Sequence, residues 1–319
     1  MIRKTLKWTG ALLLLAIIGV GIWGYASDIP ASTLRAKYAN AESEFVTLDN
    51  GLMVHLRDEG PTEAPAIILL HGSSSSLHTW DEWAKRLSGQ YRIIRFDQIG
   101  HGLTGPDKKD CYTAACFVDT VERVANNRGL TKFTLGGNSM GGWVSWEYAK
   151  AYPDRLAGLI LVDAGGAPDA TPKSLPIGFR IIGLPGVNQI ATIITPRSLV
   201  EKSLHQSVSK PAYITDKEVD LYWELLRYPG NRDATVKRAM ARRGLETRLG
   251  SDAPVLQIPA LILWGNEDTL IPVTAVKWFE ARLPQHVTHI YPQTGHLPMQ
   301  EVPAESAMDV SNWFQATLR

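Results

Sequence analysis

The stretch that decides the fold is Gly137-Asn138-Ser139-Met140-Gly141, a run with the pattern Gly-x-Ser-x-Gly. Apolar residues resembling a strand precede it, and a segment resembling a helix follows it. In that context the pattern is typical of a sharp strand-to-helix turn that exposes the serine hydroxyl. Glycine leaves room for such a turn, and a helix N-terminus favours developing negative charge. The run therefore predicts an α/β fold in which Ser139 is a nucleophile.

A base and an acid follow the serine in the chain. A serine hydroxyl is a weak nucleophile unless a base takes its proton, and the expected chain order is serine, carboxylate, histidine. Asp268 and His296 each come directly after a strand-like apolar run. Loops at the carboxyl ends of parallel strands meet at one crevice. We therefore expect Asp268 to orient His296, and His296 to deprotonate Ser139.

Other residues remain candidates for the same roles. Glu267 adjoins Asp268, and Asp163 follows an earlier strand-like run, so either carboxylate is an alternative acid. His71 and His101 also follow strand-like runs, but both precede Ser139 in the chain. That order disfavours them as the base.

Acyl transfer needs donors for an oxyanion, and two backbone N–H groups are candidates. One belongs to Met140, which follows the nucleophile, and the other to Ser73, in the loop after the third predicted strand. His71 is expected to brace this loop.

A substrate pocket is expected beside the three chemical residues. Adjacency along the chain suggests an apolar lining formed by Leu77, Met140, Leu270 and Leu297. Ser74 belongs to a run of four serines, which indicates either solvated loop residues or a hydrogen bond from Ser74 to the substrate.

The remaining chain alternates between short apolar runs and helix-like segments. Such alternation predicts a mostly parallel sheet covered by helices on both faces. The strands are expected at 45–48, 52–57, 66–70, 92–96, 132–135, 159–162, 260–263 and 287–291, and the helices at 79–87, 114–127, 143–152, 274–283 and 305–318.

The alternation stops once, which defines the domain organisation. Residues 165–255 hold no strand-like core run and are expected to form a helical lid, which we call the cap. The α/β core then comprises 45–164 and 256–319. Residues 28–44 are expected to be a tether, and 1–27 a membrane anchor or signal peptide.

The N-terminal segment carries the expected anchor. Arg3, Lys4 and Lys7 precede the uncharged residues 8–27. About 20 residues of helix span roughly 30 Å, enough to cross a hydrocarbon core. A cleaved signal peptide is the alternative. The positive charges before the apolar stretch predict a catalytic domain on the non-cytoplasmic side, periplasmic or extracellular.

Composition limits the remaining possibilities. The formal net charge is +1 and no basic stripe occurs, so we expect no nucleic-acid partner. The two cysteines, Cys111 and Cys116, are too few for a disulfide scaffold, and no histidine lies near them at metal spacing. Five residues apart on one predicted helix, their side chains would point in different directions, so we expect free thiols. A non-cytoplasmic location would allow a disulfide as the alternative.

These features together resemble the α/β-hydrolase superfamily. The resemblance covers residues 45–319 and rests on five landmarks in order: His71-Gly72, residues 97–102, residues 137–142, residues 264–268 and Gly295-His296. It implies a serine–aspartate–histidine triad, a structural role for His101, and no metal or organic cofactor.

The resemblance leaves several activities open. Ser139 excludes the branches that have an aspartate nucleophile. The sequence around it is similar to bacterial carboxylesterases and lipases and also to the carbon–carbon bond hydrolases of aromatic-ring degradation. The latter typically have tryptophan after the base and a glycine-rich oxyanion loop, where this chain has Leu297 and serines. An ester with an apolar acyl group is the expected small-molecule substrate. A non-catalytic binding protein on the same scaffold is the alternative from another class.

Overall fold

The computed structural model describes residues 24–168, 176–182, 184, 187–190, 192–244, 249–250 and 253–318. Within these residues eight strands form one sheet, in the order β1-β2-β4-β3-β5-β6-β7-β8. Only β2 runs against its neighbours, and all other pairs are parallel. The strands are β1 (Ser43–Thr47), β2 (Met53–Glu59), β3 (Ala66–Leu70), β4 (Arg92–Phe96), β5 (Phe133–Asn138), β6 (Leu156–Val162), β7 (Ala260–Gly265) and β8 (His286–Tyr291).

The central strands are buried because helices cover both sheet faces. All five residues of β3 are buried, and its side chains alternate between two cores. Ile68 and Leu70 belong to one hydrophobic cluster, whereas Ile67 and Leu69 belong to another. This alternation is the period of two expected for a strand packed on both sides. The predicted α/β fold with a mostly parallel sheet is confirmed.

The helices fall into two groups. Those of the α/β core and the segment before it are α1 (Ala31–Tyr38), α2 (Asp81–Leu87), α3 (Ala114–Asn127), α4 (Met140–Ala151), α10 (Val276–Glu280), α11 (Pro298–Glu301) and α12 (Pro303–Thr317). Those between β6 and β7 are α5 (Ile177–Ile182), α6 (Val187–Ile190), α7 (Arg197–His205), α8 (Asp216–Leu226) and α9 (Asn231–Gly244). Short 3-10 turns occupy Leu77–Trp80, Pro153–Arg155, Pro211–Tyr213 and Val273–Ala275.

The described part of the cap is helical, and the predicted tether packs against it. The N–H of Ile29 donates to the carbonyl of Arg227 at 2.8 Å, and Lys37 pairs with Glu224 at 2.7 Å. Leu34 of α1 is buried in a small cluster with cap residues. The domain boundaries themselves remain predictions, since residues 169–175, 245–248 and 251–252 lie outside the described residues.

The predicted membrane segment lies largely outside the structure. Residues 1–23 are not among the described residues, so the expected anchor is not tested there. Among the helices that are described, none has the length and apolar character needed to span a bilayer.

The prediction of free thiols is wrong. Cys111 and Cys116 form a disulfide, with their Cα atoms 6.1 Å apart. Helix α3 begins only at Ala114, so Cys111 lies in the preceding loop rather than on the helix. Its N–H donates to the carboxylate of Asp107 at 2.9 Å, which turns the loop back toward the helix.

Candidate active site

Ser139 occupies the turn between β5 and α4. Its φ is 54°, in the left-handed region that non-glycine residues rarely adopt. Three backbone hydrogen bonds hold it there. Its N–H donates to Val162 O at 3.1 Å, and its carbonyl accepts from Gly165 N at 2.8 Å and Trp143 N at 3.1 Å. The surrounding structure therefore holds the serine in a strained conformation, as functional sites often do.

Close packing around the turn requires glycine. A β-carbon on Gly141 would lie 2.2 Å from the carbonyl oxygen of Leu70, and one on Gly137 would lie 2.2 Å from the backbone of Gly141. One on Gly72 would lie 3.2 Å from the Cβ of Ser139. The loop after β3 therefore passes so close to Ser139 that a side chain at position 72 would crowd the serine.

His296 and Asp268 meet in loops after neighbouring strands. The Nδ1 of His296 lies 2.7 Å from Oδ2 of Asp268, and both residues are buried. Oδ1 of Asp268 accepts the N–H groups of Leu270 and Ile271 at 2.7 and 3.1 Å. With Nδ1 donating to the carboxylate, Nε2 is left as the acceptor, the tautomer that a general base requires.

Ser139 and His296 both line one cavity. Within the described residues no hydrogen bond joins the serine hydroxyl to the imidazole. Such catalytic hydrogen bonds are often long in unliganded proteins and tighten when substrate binds.

Three further residues, none of them predicted from the sequence, hold the His296 loop. Nδ2 of Asn138 donates to the His296 carbonyl at 3.1 Å, and the His296 N–H donates to Ser207 O of the cap at 2.8 Å. The buried carboxylate of Glu301 accepts the N–H groups of Gly295, Leu297 and Ser209 at 2.9–3.2 Å. These bonds join residues far apart in the chain and leave no local pattern.

Asp163, the alternative acid, lies beside this pair. It is fully buried, with φ 43°, and its Oδ1 accepts the N–H of Gly265 at 3.0 Å. Burial and the negative charge of Asp268 raise the pKa of its carboxyl well above the ordinary value. Burial therefore favours the neutral form of Asp163, and it is the carboxylate of Asp268 that accepts the hydrogen bond from His296.

Asp163, Asp268 and His296 bring one potential ligand atom each within 4.8 Å of one another. Two of these residues are already joined by a hydrogen bond, and burial favours the neutral form of the third. This chemistry favours a proton network over a cation.

The loop after β3, which carries the predicted oxyanion donor Ser73, borders the cavity. Ser73 lines the cavity, and Ser74 has a φ of 60°, so this loop is also strained. Met140 is the first residue of α4, and its N–H has no acceptor within the helix. Its side chain is only 3% exposed and packs in the core, so the prediction that it lines the cavity is wrong, while the predicted role of its N–H stays a prediction.

His71 braces this loop in the neutral state. Its Nδ1 donates to the Gly72 carbonyl at 2.7 Å, and its Nε2 accepts the Gln98 N–H at 3.0 Å. Burial lowers the pKa of His71 to about 4. The imidazole therefore supports Gly72 and does not exchange protons near neutral pH.

The cavity extends from Ser139 into the cap and has a volume of about 140 Å³. Ser74, Leu270 and Leu297 line it, as expected. Leu77 does not: it is fully buried, and its N–H donates to Asp97 Oδ1 at 2.8 Å, which turns it away from the cavity. The apolar cap residues of the lining are Ile181, Ile182, Ile194, Leu199, Val200, Leu204, Leu226 and Val236.

One cap side chain contacts the oxyanion loop directly. The hydroxyl of Tyr222, from α8, lies 3.1 Å from the Ser75 hydroxyl, and burial raises the pKa of this phenol. The cap thus contributes both apolar lining and a polar contact near the serine.

Comparison with known proteins agrees with this architecture. Residues 67–309 match the model of a family described as Alpha/beta hydrolase family. Lipase 3 of Moraxella sp. is 27% identical over 314 residues, covering 95% of this chain and 96% of that lipase. A 2-hydroxy-6-oxononadienedioate/2-hydroxy-6-oxononatrienedioate hydrolase of Comamonas testosteroni is 24% identical, covering 80% of this chain and 90% of that enzyme.

A solved structure also covers nearly the whole chain. The crystal structure of a membrane phospholipase A, described as a novel bacterial virulence factor, aligns with 99% of both chains at a TM-score of 0.76. Its sequence is 22% identical, so the likeness concerns the fold.

Proposed function

We propose that this chain, which belongs to the alpha/beta hydrolase family, is a serine hydrolase that cleaves carboxylic esters through an acyl-enzyme. One observation carries the proposal. The hydrogen-bonded pair of His296 and Asp268 and the strained turn of Ser139 meet at the same apolar cavity. A nucleophile, a base and an orienting carboxylate in this arrangement are what acyl transfer needs.

The residues then act in a fixed order. Nε2 of His296 takes the hydroxyl proton as Oγ of Ser139 attacks the ester carbonyl. Asp268 holds the imidazole in place and stabilises its charged form. The N–H groups of Ser73 and Met140 donate to the oxyanion of the tetrahedral intermediate.

Two steps complete the cycle. The intermediate collapses, its carbon–oxygen bond to the alcohol breaks, and His296 gives its proton to the leaving alcohol. Water then attacks the acyl-enzyme while His296 takes one of its protons. That proton returns to Oγ of Ser139, and the carboxylic acid leaves.

The cavity supports an apolar acyl group as the preferred substrate part. Aliphatic residues form most of its cap side, beside polar cap side chains, which are Thr195, Ser203, Ser207, Tyr222, Arg232 and Thr235. Lipase names among the relatives favour the same substrate class. The uncharged residues 8–27, preceded by three basic residues, support attachment to a membrane with the catalytic domain on the non-cytoplasmic side.

Carbon–carbon bond hydrolysis is the second candidate, because the Comamonas testosteroni relative carries that type of name. Leu297 after the base and the serines of the oxyanion loop speak against it. The two activities separate in one assay: a vinylogous diketone cleaved faster than any ester would favour the second candidate.

The decisive experiment replaces the nucleophile. Purified Ser139→Ala should lose hydrolysis of p-nitrophenyl esters across a panel of acyl lengths while keeping its circular dichroism spectrum. Ser311→Ala, on the distant helix α12, serves as a matched control and should retain activity. A fluorophosphonate probe should label the native protein and the control but not Ser139→Ala. Retained activity in Ser139→Ala would refute the mechanism, and an unlabelled native protein would favour a non-catalytic binding role.

A further inference from the structure

Four large apolar side chains lie exposed where the N-terminal sequence joins the cap. Tyr25, Leu184, Ile190 and Ile193 are exposed by 65, 52, 53 and 52%. We call them the apolar cap surface. Half-exposed side chains of this size leave roughly 400 Å² of surface in water, the size of the largest apolar patch on a typical soluble monomer, which is often functional. Patches of this kind mark contact with another molecule or with a membrane.

Backbone contacts join these residues into one surface. The N–H of Ile193 donates to the Ile190 carbonyl at 3.0 Å. Tyr25 forms an antiparallel bridge with Ile194, the next residue. The Leu184 carbonyl accepts an N–H from the first turn of α6, the helix that ends at Ile190. Leu184, Ile190 and Ile193 therefore belong to one segment of the cap, and Tyr25 lies on the N-terminal chain that is bridged to it.

The same segment forms a wall of the cavity. Ile181, Ile182 and Ile194 line the cavity, whereas Ile190 and Ile193 do not and are exposed to the outside. Within the described residues, the apolar cap surface and the cavity lining therefore share the same short segments of chain. An apolar molecule that contacts the outside of this wall is close to the acyl pocket.

The sequence that enters the structure here is itself apolar. Residues 8–27 carry no charge, and the described chain begins within them, at Gly24. The Gly24 carbonyl accepts the Thr195 N–H at 3.0 Å. A β-carbon on Gly24 would lie 2.4 Å from Cγ2 of Ile194, so the two segments are in tight contact. The apolar N-terminal sequence thus arrives at the apolar cap surface.

We propose that the apolar cap surface contacts a lipid bilayer, so that lipidic esters pass from the bilayer to the cavity across this wall of the cap. This proposal rests on the proposed ester hydrolase activity. The described chain meets this surface at Gly24 and Tyr25, and the uncharged sequence that precedes them points to the bilayer as its occupant. Apolar side chains buried to a depth of about 5–10 Å are typical of proteins that lie on the membrane interface.

Direct contact is measured with a lipid-borne quencher. The fluorophore NBD is attached to Ile193→Cys of the full chain, and separately to Met308→Cys as a matched control. Met308 is 58% exposed and lies on α12 of the core. Both proteins are reconstituted into phosphatidylcholine–phosphatidylglycerol vesicles containing doxyl-labelled lipid. Quenching at position 193 but not at 308 is expected.

Each other result of this experiment overturns the proposal. Emission at 193 that is typical of water and unquenched means that the surface is exposed to solvent. Blue-shifted but unquenched emission means that residues 1–23 or a second copy of the chain covers the surface. Equal quenching at both positions means that contact is not specific to the cap.

Activity provides an independent measurement. The double variant Ile190→Asp/Ile193→Asp should hydrolyse soluble p-nitrophenyl butyrate within about twofold of the native rate, because neither side chain lines the cavity. Hydrolysis of a long-chain ester embedded in vesicles should fall about tenfold or more. Met308→Asp should change neither rate. Equal losses on both substrates would overturn the docking proposal. Inactivity of the native protein on both would instead refute the proposed function, while the quenching result would still stand.

Discussion

Replacing Glu301 by glutamine tests whether this side chain holds the base loop. The carboxylate of Glu301 is buried and accepts hydrogen bonds from the N–H groups of Gly295, Leu297 and Ser209. Two of these donors flank His296 in the chain, and the third belongs to the cap. Glutamine has the same shape but offers one acceptor oxygen and a donor NH2 group in place of the second oxygen.

The structure allows the cost to be worked out. At least one of the three N–H groups would face the amide NH2 in a buried site, which costs about 1–3 kcal/mol. The remaining hydrogen bonds lose their charge assistance, and the cheaper burial of a neutral group offsets part of that loss. We expect the free energy of unfolding to fall by about 2 kcal/mol. Because His296 would be held less precisely, kcat should fall about tenfold or more, with a smaller change in KM.

Urea denaturation and p-nitrophenyl butyrate kinetics measure both effects. Glu305→Gln is the control, since it removes the same charge from an exposed position at the start of α12. The reasoning is refuted if Glu301→Gln has the same urea midpoint and the same kcat as this control.

Three further predictions follow from contacts at and near the site. Asp163→Asn keeps a donor beside Asp268 and should retain more than about a tenth of kcat. Asp268→Asn should lower kcat about a thousandfold. The opposite order in ester kinetics would assign the acid role to Asp163. The pKa of His71 is about 4 in the folded protein, below the ordinary 6.5, so between these pH values the unfolded chain binds a proton that the folded protein does not. The free energy of unfolding should therefore be unaffected by this group above pH 6.5 and should fall by about 3 kcal/mol as the pH falls toward 4. Urea midpoints should decline less over this pH range in His71→Gln, and equal slopes would contradict the assignment. Replacing Cys111 and Cys116 by serine should lower the free energy of unfolding by about 2 kcal/mol without changing kcat, and an unchanged urea midpoint would count against a stabilising disulfide.

Much of the fold could be predicted where local pattern and tertiary packing agree. The strands Ala66–Leu70 and Arg92–Phe96 and the helix Ala114–Asn127 have the bounds expected from their periodicity. Helix α4 begins at Met140, three residues before the expected start. It includes Gly141 and Gly142, although glycine disfavours a helix by intrinsic propensity. The close approach of neighbouring backbone to these glycines overrides that propensity.

The site was harder to predict wherever its contacts are long in sequence. Strand ends meet at one edge of a parallel sheet, so Ser139, Asp268 and His296 could be placed near one another from the chain alone. The hydrogen bond from Asn138 to the His296 carbonyl spans 158 positions, and no local signal reveals it. For Leu77 the prediction of a place in the cavity lining was wrong. This residue is close in sequence to the loop after β3, but its side chain packs into the core.

The hydrogen bond from the His296 N–H to the Ser207 carbonyl has a consequence for the timing of turnover. Ser207 belongs to the cap, so any displacement that lifts this part of the cap also withdraws an acceptor from the residue that carries the base. A bulky substrate would then enter while the cap is lifted, and His296 would be ready to take the proton only after the cap closes. We expect the speed of cap closure to set an upper limit on kcat for large substrates, while small esters that enter without lifting Ser207 escape that limit.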